Sequence, residues 1–238
     1  MAAMAVRLPL LARRLHKWLA LLVGVQIAIW TLSGLYMTAV HIEIIHGDRF
    51  IREDAAAPLS AVGLADPLAA AAQVPGAEGV KLARLLGRPV YVVSSDAGAA
   101  LLDARTGERL PRPTEQQVRQ VAEQRFAGSE PLEKLELIET LPFEVRGRKP
   151  PLWRAEFGGW NKPTLYISPE TAELVTRRHE LWRVFDFVWM LHIMDYEERE
   201  DVNTWLLQAA SVSAGVMLLA GAWLLFYTLP LRRRKPRT

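Results

Sequence analysis

The chain carries five histidines and no cysteine, and none of the 132 residues from Gly47 to Arg178 is a histidine. Every imidazole therefore lies close to one of two long apolar runs. His16 sits just before the first, His41 and His46 just after it, and His179 and His192 ahead of the second. Six of the eight tryptophans, at 18, 30, 182, 189, 205 and 223, keep them company. Tryptophan is expected where a helix meets a membrane surface; a matching confinement of histidine is not. Without cysteine there are no disulfides, no thiolate nucleophile and no Cys/His zinc site. The chemistry left is that of imidazole: a hydrogen bond or a metal.

The stretch from Leu181 to His192 is amphipathic, with Leu181, Phe185, Val188 and His192 on one face at helical spacing and Trp182 and Trp189 alongside. It reads as a helix in or on a membrane interface, presenting His192 to the apolar side beside Met190 and Met194. Haem iron is held by axial histidines from facing helices, with the macrocycle in an apolar slot between them. His46 or His41, at the far end of the first run, is the natural second ligand. His16 lies roughly 38 Å from His41 along a helix, so the two cannot share one ligand within a monomer. The segment His41-Ile42-Glu43-Ile44-Ile45-His46 is not a zinc-protease motif, because histidines five apart on a helix point about 140° apart.

Two elements must position these groups. Trp18 to Val40 is 23 residues without a charge, and Val202 to Leu231 is 30. Each exceeds the ~20 residues needed to cross a bilayer. Nine basic residues flank the runs at the chain's ends: Arg7, Arg13, Arg14 and Lys17, then Arg232, Arg233, Arg234, Lys235 and Arg237. All 26 acidic residues lie between them, so the middle carries 20 − 26 = −6 and the ends +9. Basic flanks stay in the cytoplasm. The expected topology has both termini in the cytoplasm and residues 41–201 on the outer side of an inner membrane. The net +3 then says nothing of nucleic acid, which is not an expected partner. A cleaved signal peptide is disfavoured by the length of the first run and the poor cleavage site at Thr38-Ala39-Val40, despite the Arg13-Arg14 pair.

Between the runs the chain reads as one small α+β module written twice. The first copy has an Ala-rich helix at roughly Leu59 to Ala72, strands at 89–93 and 99–102, and a turn at 103–107. The second opens on Pro113-Thr114-Glu115-Gln116-Gln117, a helix start. Strands follow at Lys134 to Ile138, Leu152 to Phe157 and Thr164 to Ile167, then a turn at 168–172. Leu101-Leu102-Asp103 through Leu110 aligns without a gap on Tyr166-Ile167-Ser168 through Val175, with Ser168 in place of Asp and Ala172 in place of Gly. The carboxylates of this region are scattered as a solvated face requires, and none is expected to pair into a site.

Helix, strands and a D-x-x-T-G-E turn resemble the PepSY domain, a module found outside bacterial cells. The flanks, Leu15-His16-Lys17-Trp18-Leu19 with Thr31-Leu32-Ser33-Gly34-Leu35-Tyr36, and later Ile45-His46-Gly47-Asp48 and Met190-Leu191-His192-Ile193-Met194-Asp195-Tyr196, resemble the boundary motifs of PepSY-associated transmembrane proteins. Together these resemblances cover nearly the whole chain. They imply a two-helix membrane hairpin carrying a periplasmic α+β domain of two PepSY-like repeats. The boundaries follow: a cytoplasmic tail 1–17, spans 18–40 and 202–231, a membrane-proximal segment 41–57, repeats 58–112 and 113–177, an interfacial helix 178–201 and a basic tail 232–238. Larger relatives include ferric-siderophore reductases, which hold b-type haem between histidines. By position, the resemblance implies haem iron on His16, His46 and His192, with His41 a weaker candidate and His179 the weakest. Those reductases have more membrane helices, and the second run here contains no histidine. A homodimer, packed through the small residues around Ser211-Val212-Ser213-Ala214-Gly215, would give His16 a partner. No flavin or nicotinamide domain is present, so electrons would come from a membrane protein or quinol. The alternative is a non-enzymatic module that binds a peptide or protein partner in the periplasm.

Overall fold

The computed structural model describes residues 7–52 and 62–228, with side chains over 17–52 and 62–222, and these fall into two units. One unit joins the chain up to His41 with the chain from Phe185; the other is Ile42–Val184.

In the first unit, α1 spans Arg7–Ala39 and α6 spans Trp205–Thr228. Lys17–Ala39 and Trp205–Ala222 are long and apolar enough to cross a membrane. Leu22, Leu32 and Leu218 are each at least two-thirds exposed. A soluble core helix would bury such residues, and hydrocarbon is the solvent that would cover them. The two helices pack on each other. Ala210, Ala214, Gly215 and Ala220 are partly buried, while Ala209, Ser211, Ser213 and Gly221 face outward. Residues 229–238 lie outside the described residues, as does the end of the expected span.

The helix expected over 178–201 is shorter. As α5 it runs Glu180–Ile193 and stops where Met194 takes a left-handed φ of 55°. Asp195, 6 % exposed, then turns its carboxylate inward and accepts the N–H groups of Glu197, Glu198, Glu200 and Asp201 at 3.0–3.2 Å. Burial works against this charge, but the four donors outweigh it and hold the carboxyl below its ordinary range. Trp189 Nε1 donates to Arg199 O at 3.1 Å, and Arg199 pairs with Asp186, so the acidic loop is tied back to α5.

The second unit starts with α2, Ile42–His46, and a 3₁₀ turn at Asp48–Phe50. Then a helix and an antiparallel meander occur twice. The first set is α3 (Pro67–Ala71) with β1 (Ala77–Leu85), β2 (Arg88–Ser95) and β3 (Gly98–Asp103). The second is α4 (Glu115–Arg125) with β4 (Leu132–Ile138), β5 (Leu152–Phe157), β6 (Thr164–Ile167) and β7 (Leu174–Arg178). Helix α3 is much shorter than the Ala-rich stretch suggests. Asp66 caps it by accepting from Leu68 N–H, and Pro67 at the first helical position fixes its start. Residues 59–61 lie outside the described residues. By contrast α4 starts where its sequence says, on a reciprocal capping box between Thr114 and Gln117.

Each meander buries strand faces against its own helix. Tyr91, Val93, Leu102 and Ala104 pack with Ala70 and Val74, while Ala155, Phe157, Leu165 and Ile167 pack with Val118, Val121 and Ala122. The two aligned turns carry the same bonds. Asp103 N–H donates to Glu108 O at 2.8 Å and Gly107 N–H to Asp103 O at 2.8 Å; Ser168 and Glu173, then Ala172 and Ser168, match them at 2.9 Å. The Asp103 carboxylate accepts from Arg105 and Thr106, as the Ser168 hydroxyl accepts from Glu170 and Thr171. Gly107 and Ala172 both take positive φ, 75° and 56°. Gly107→Ala should cost about 1 kcal/mol, from the left-handed backbone rather than from a clash, since a Cβ there meets nothing closer than 3.6 Å. Ala172→Gly should come out near zero, because relief of that strain is offset by a lost buried methyl of about 0.8 kcal/mol. Urea unfolding of the two variants checks both.

Candidate functional site

His192 lies on the last turn of α5 and meets α1. Its Nδ1 is 2.8 Å from Ser33 Oγ, and a Cβ on Gly34 would stand 3.6 Å from its Cε1. Trp30 Nε1 donates to His192 O at 2.8 Å, satisfying a carbonyl that the helix end leaves without an intrahelical partner. One turn further up the contact, Tyr36 meets Phe185 with ring centroids 6.4 Å apart. The motif Trp30-Thr31-Leu32-Ser33-Gly34 thus supplies an indole donor, a hydroxyl and a helix surface with no side chain in the way.

The protons can be assigned from this network. Ser33 has one hydroxyl hydrogen, and it goes to Ile29 O at 2.6 Å, the usual bond of a helical serine to the preceding turn. Ser33 Oγ therefore accepts from His192, which places the imidazole hydrogen on Nδ1. Nε2 keeps its lone pair and has no hydrogen-bond partner among the described residues. A ligating histidine needs this arrangement: one nitrogen anchored as a donor, the other open to the metal. His192 has the wiring that a metal-holding imidazole needs.

His179 has the opposite wiring. It is 1 % exposed and caps α5: Trp182 N–H donates to its Nδ1 at 3.2 Å, so its hydrogen is on Nε2, which bonds Ile45 O at 3.1 Å. Both nitrogens are used, and His179 has no lone pair left for a metal. Phe50 stacks obliquely on it at 5.1 Å, and Gly47 approaches so closely that a Cβ would sit 2.9 Å from the ring. Burial pushes its pKa below the ordinary value; the Ile45 bond opposes this, and the nearby Arg49, Arg183 and Arg177 charges add to it. The neutral form is thus the one compatible with the fold, and the sign follows. Its contribution is complete above the unfolded pKa of about 6.5 and declines as pH falls from there through the lower folded value. Unfolding of the detergent-purified protein between pH 7.5 and 5 should show stability falling with pH. His179→Asn, which can still cap the helix, should flatten that dependence. Equal slopes for the two proteins would contradict the assignment.

The other histidines are placed as follows. His46 is exposed, with its carbonyl accepting from Arg177 Nε at 2.8 Å and Arg177 paired with Asp48. His41 is exposed between α1 and α2. His16 is in α1, with its side chain outside the described residues. Among the described residues no three or more His, Asp or Glu side chains gather to hold a metal ion. Any iron here would rest on one or two histidines.

Glu144 departs from the expected solvated face, with a side chain only 12 % exposed. It receives the Tyr166 hydroxyl at 2.6 Å and Arg183 Nε at 2.6 Å, while its carbonyl accepts Arg178 Nε at 2.9 Å. Arg178 also lies 4.0 Å over the Trp182 ring, and Asn161 Oδ1 accepts Leu181 N–H at 3.1 Å. These contacts fix the first turn of α5. Residue types alone do not predict the Glu144 cluster, because its partners lie 22 to 39 residues from Glu144.

Compared with protein-family models, curated proteins and solved structures, the chain gives no match.

Proposed function

We propose that this chain is a haem-b electron-transfer protein of the bacterial inner membrane, serving the reduction of ferric iron or a similar extracytoplasmic acceptor. Both ends are cytoplasmic and residues 41–201 are periplasmic, a reading supported by nine basic residues at the ends and all 26 acidic residues between them. The observation that carries the proposal is the 2.8 Å pair between His192 Nδ1 and Ser33 Oγ, whose own hydrogen is taken by Ile29 O; from it follows an imidazole anchored at Nδ1 with Nε2 open, on a helix that meets an apolar one. The resemblance to PepSY-associated transmembrane proteins points the same way.

When bound, haem supplies reversible one-electron transfer. The chain's own residues hold and orient it. Ser33 fixes the imidazole ring and its tautomer, Trp30 fixes the backbone of the same residue, and Gly34 leaves the helix surface bare beside the ring. His46 or His41 would supply a second histidine to hold the group, and single variants at these two positions discriminate them; His16 lies about 25 Å before Ser33 along α1 and would hold it only together with a second copy of the chain. The electron donor is a membrane protein or quinol.

Titrating haemin into detergent-purified protein tests the reading. The expected result is a sharp Soret band that saturates at a fixed haem-to-chain ratio. A broad band that grows without saturation would leave the outer unit as the working part.

A further inference from the structure

The second unit contains a wedge-shaped cavity of about 430 Å³, remote in chemistry from the histidines. Residues 108–110 extend the first sheet along the outer edge of β3: Asp103 N–H donates to Glu108 O and Leu110 N–H to Leu101 O, both at 2.8 Å. Beyond Leu110 no further ladder bond joins this segment to β3 among the described residues. A gap opens between β3 and the chain at 109–112, walled by Val74, Pro75, Leu110 and Pro111.

Along that gap the next outward donor of β3 is Ala99 N–H, and it is already held by a carboxylate. Glu170, from the turn of the second repeat, reaches across to accept it at 2.7 Å, with Arg112 against its other oxygen at 3.4 Å. Arg109 also lines the wedge and makes no ion pair among the described residues. The edge of β3, two arginines and an aliphatic wall thus line one cavity. One guanidinium is uncommitted, and the other is only loosely engaged, since its side chain is 76 % exposed.

We propose that this wedge binds the C-terminal residue of an extended peptide. The terminal carboxylate pairs with Arg109 and Arg112, and the last side chain, aliphatic, packs on Val74, Pro75, Leu110 and Pro111. Glu170 is the resident stand-in for that carboxylate. A simple carboxylic acid would satisfy the guanidinium groups but leave the apolar wall and the strand edge unused. The proposal does not rest on the haem reading.

The test is calorimetric titration of the full-length detergent-purified chain with the tripeptide Gly-Val-Leu as free acid, as C-terminal amide, and with acetate. Saturable binding of the free acid is expected, at least tenfold weaker for the amide and absent for acetate over the same range. Arg109→Gln and Arg112→Gln, both exposed substitutions, should each weaken the free acid about tenfold while leaving the unfolding midpoint in place. Equal binding of acid and amide, no binding of the acid, or unchanged affinity in both arginine variants overturns the proposal. Binding of acetate as strong as that of the peptide would show a general carboxylate site and overturn it equally.

Discussion

His192→Ala is expected to purify without haem and to give no Soret band on titration with haemin, although the protein still folds. The side chain is half-buried at the end of α5, and its loss removes one hydrogen bond to Ser33 and a contact with Gly34. That costs stability on the order of 1 kcal/mol, too little to unfold the first unit. Ser33→Ala separates ligation from packing. It keeps His192 but deprives Nδ1–H of its acceptor, so the ring is freer and donates less electron density to the metal. Haem affinity should fall about 10- to 100-fold, and the midpoint potential of whatever haem is bound should move positive. His179→Asn should leave the spectrum as it is, because neither of its ring nitrogens is available. The ordering of these three variants is the informative result. If His179→Asn bleaches the protein and His192→Ala does not, the assignment of lone pairs is wrong.

Glu144→Ala should be the most damaging single change in the second unit, about 2–4 kcal/mol. The Glu144 side chain is 12 % exposed, and its removal strands two partners. Tyr166, fully buried, loses the acceptor of its hydroxyl; Arg183 is left with Glu180, 3.0 Å away on the exposed side, and a long 3.5 Å bond to Thr164 Oγ1. Glu144→Gln, which can still accept from Tyr166, should cost less. The acid behaviour follows with a definite sign. Burial raises the Glu144 pKa, but the bonds from Arg183 and Tyr166 outweigh it and bring the carboxyl below its usual value. The charged pair therefore stabilises the fold fully above about pH 4.5, and that contribution is lost as pH falls through the lower folded pKa. Glu144→Gln should lack that loss. Urea midpoints at pH 7 and pH 4 measure both effects; a Glu144→Ala midpoint matching wild type would remove the cluster from the account.

The parts of the structure that sequence made legible are the local ones. Alternation located β4 to β6 within two residues at each end, and the Thr114–Gln117 box located the start of α4. The repeat was visible because its turn needs a side-chain acceptor at one position and left-handed backbone four residues on. Asp103 and Gly107 meet those needs openly, while Ser168 and Ala172 meet them in disguise. What sequence hid is set by non-local contacts or by single residues that overrule composition. The Ala-rich stretch failed as a long helix because Asp66-Pro67 dictates where α3 begins. Helix α5 ends at Ile193 because Asp195 offers its carboxylate to the next four available N–H groups. Ser33 stood inside a motif that drew notice for its pattern, but its bond to His192 spans 159 residues, and nothing in either neighbourhood announces it.

The most direct test of the central claim is a reduced-minus-oxidised absorption spectrum of the detergent-purified wild-type protein, taken after dithionite, with a pyridine haemochrome assay for the ratio of haem to chain. The account predicts the sharp bands of a low-spin b-type haem, present in wild type and absent in His192→Ala. A protein that stays colourless even when produced with added haem would contradict it, and would turn attention to the carboxylate wedge of the second unit.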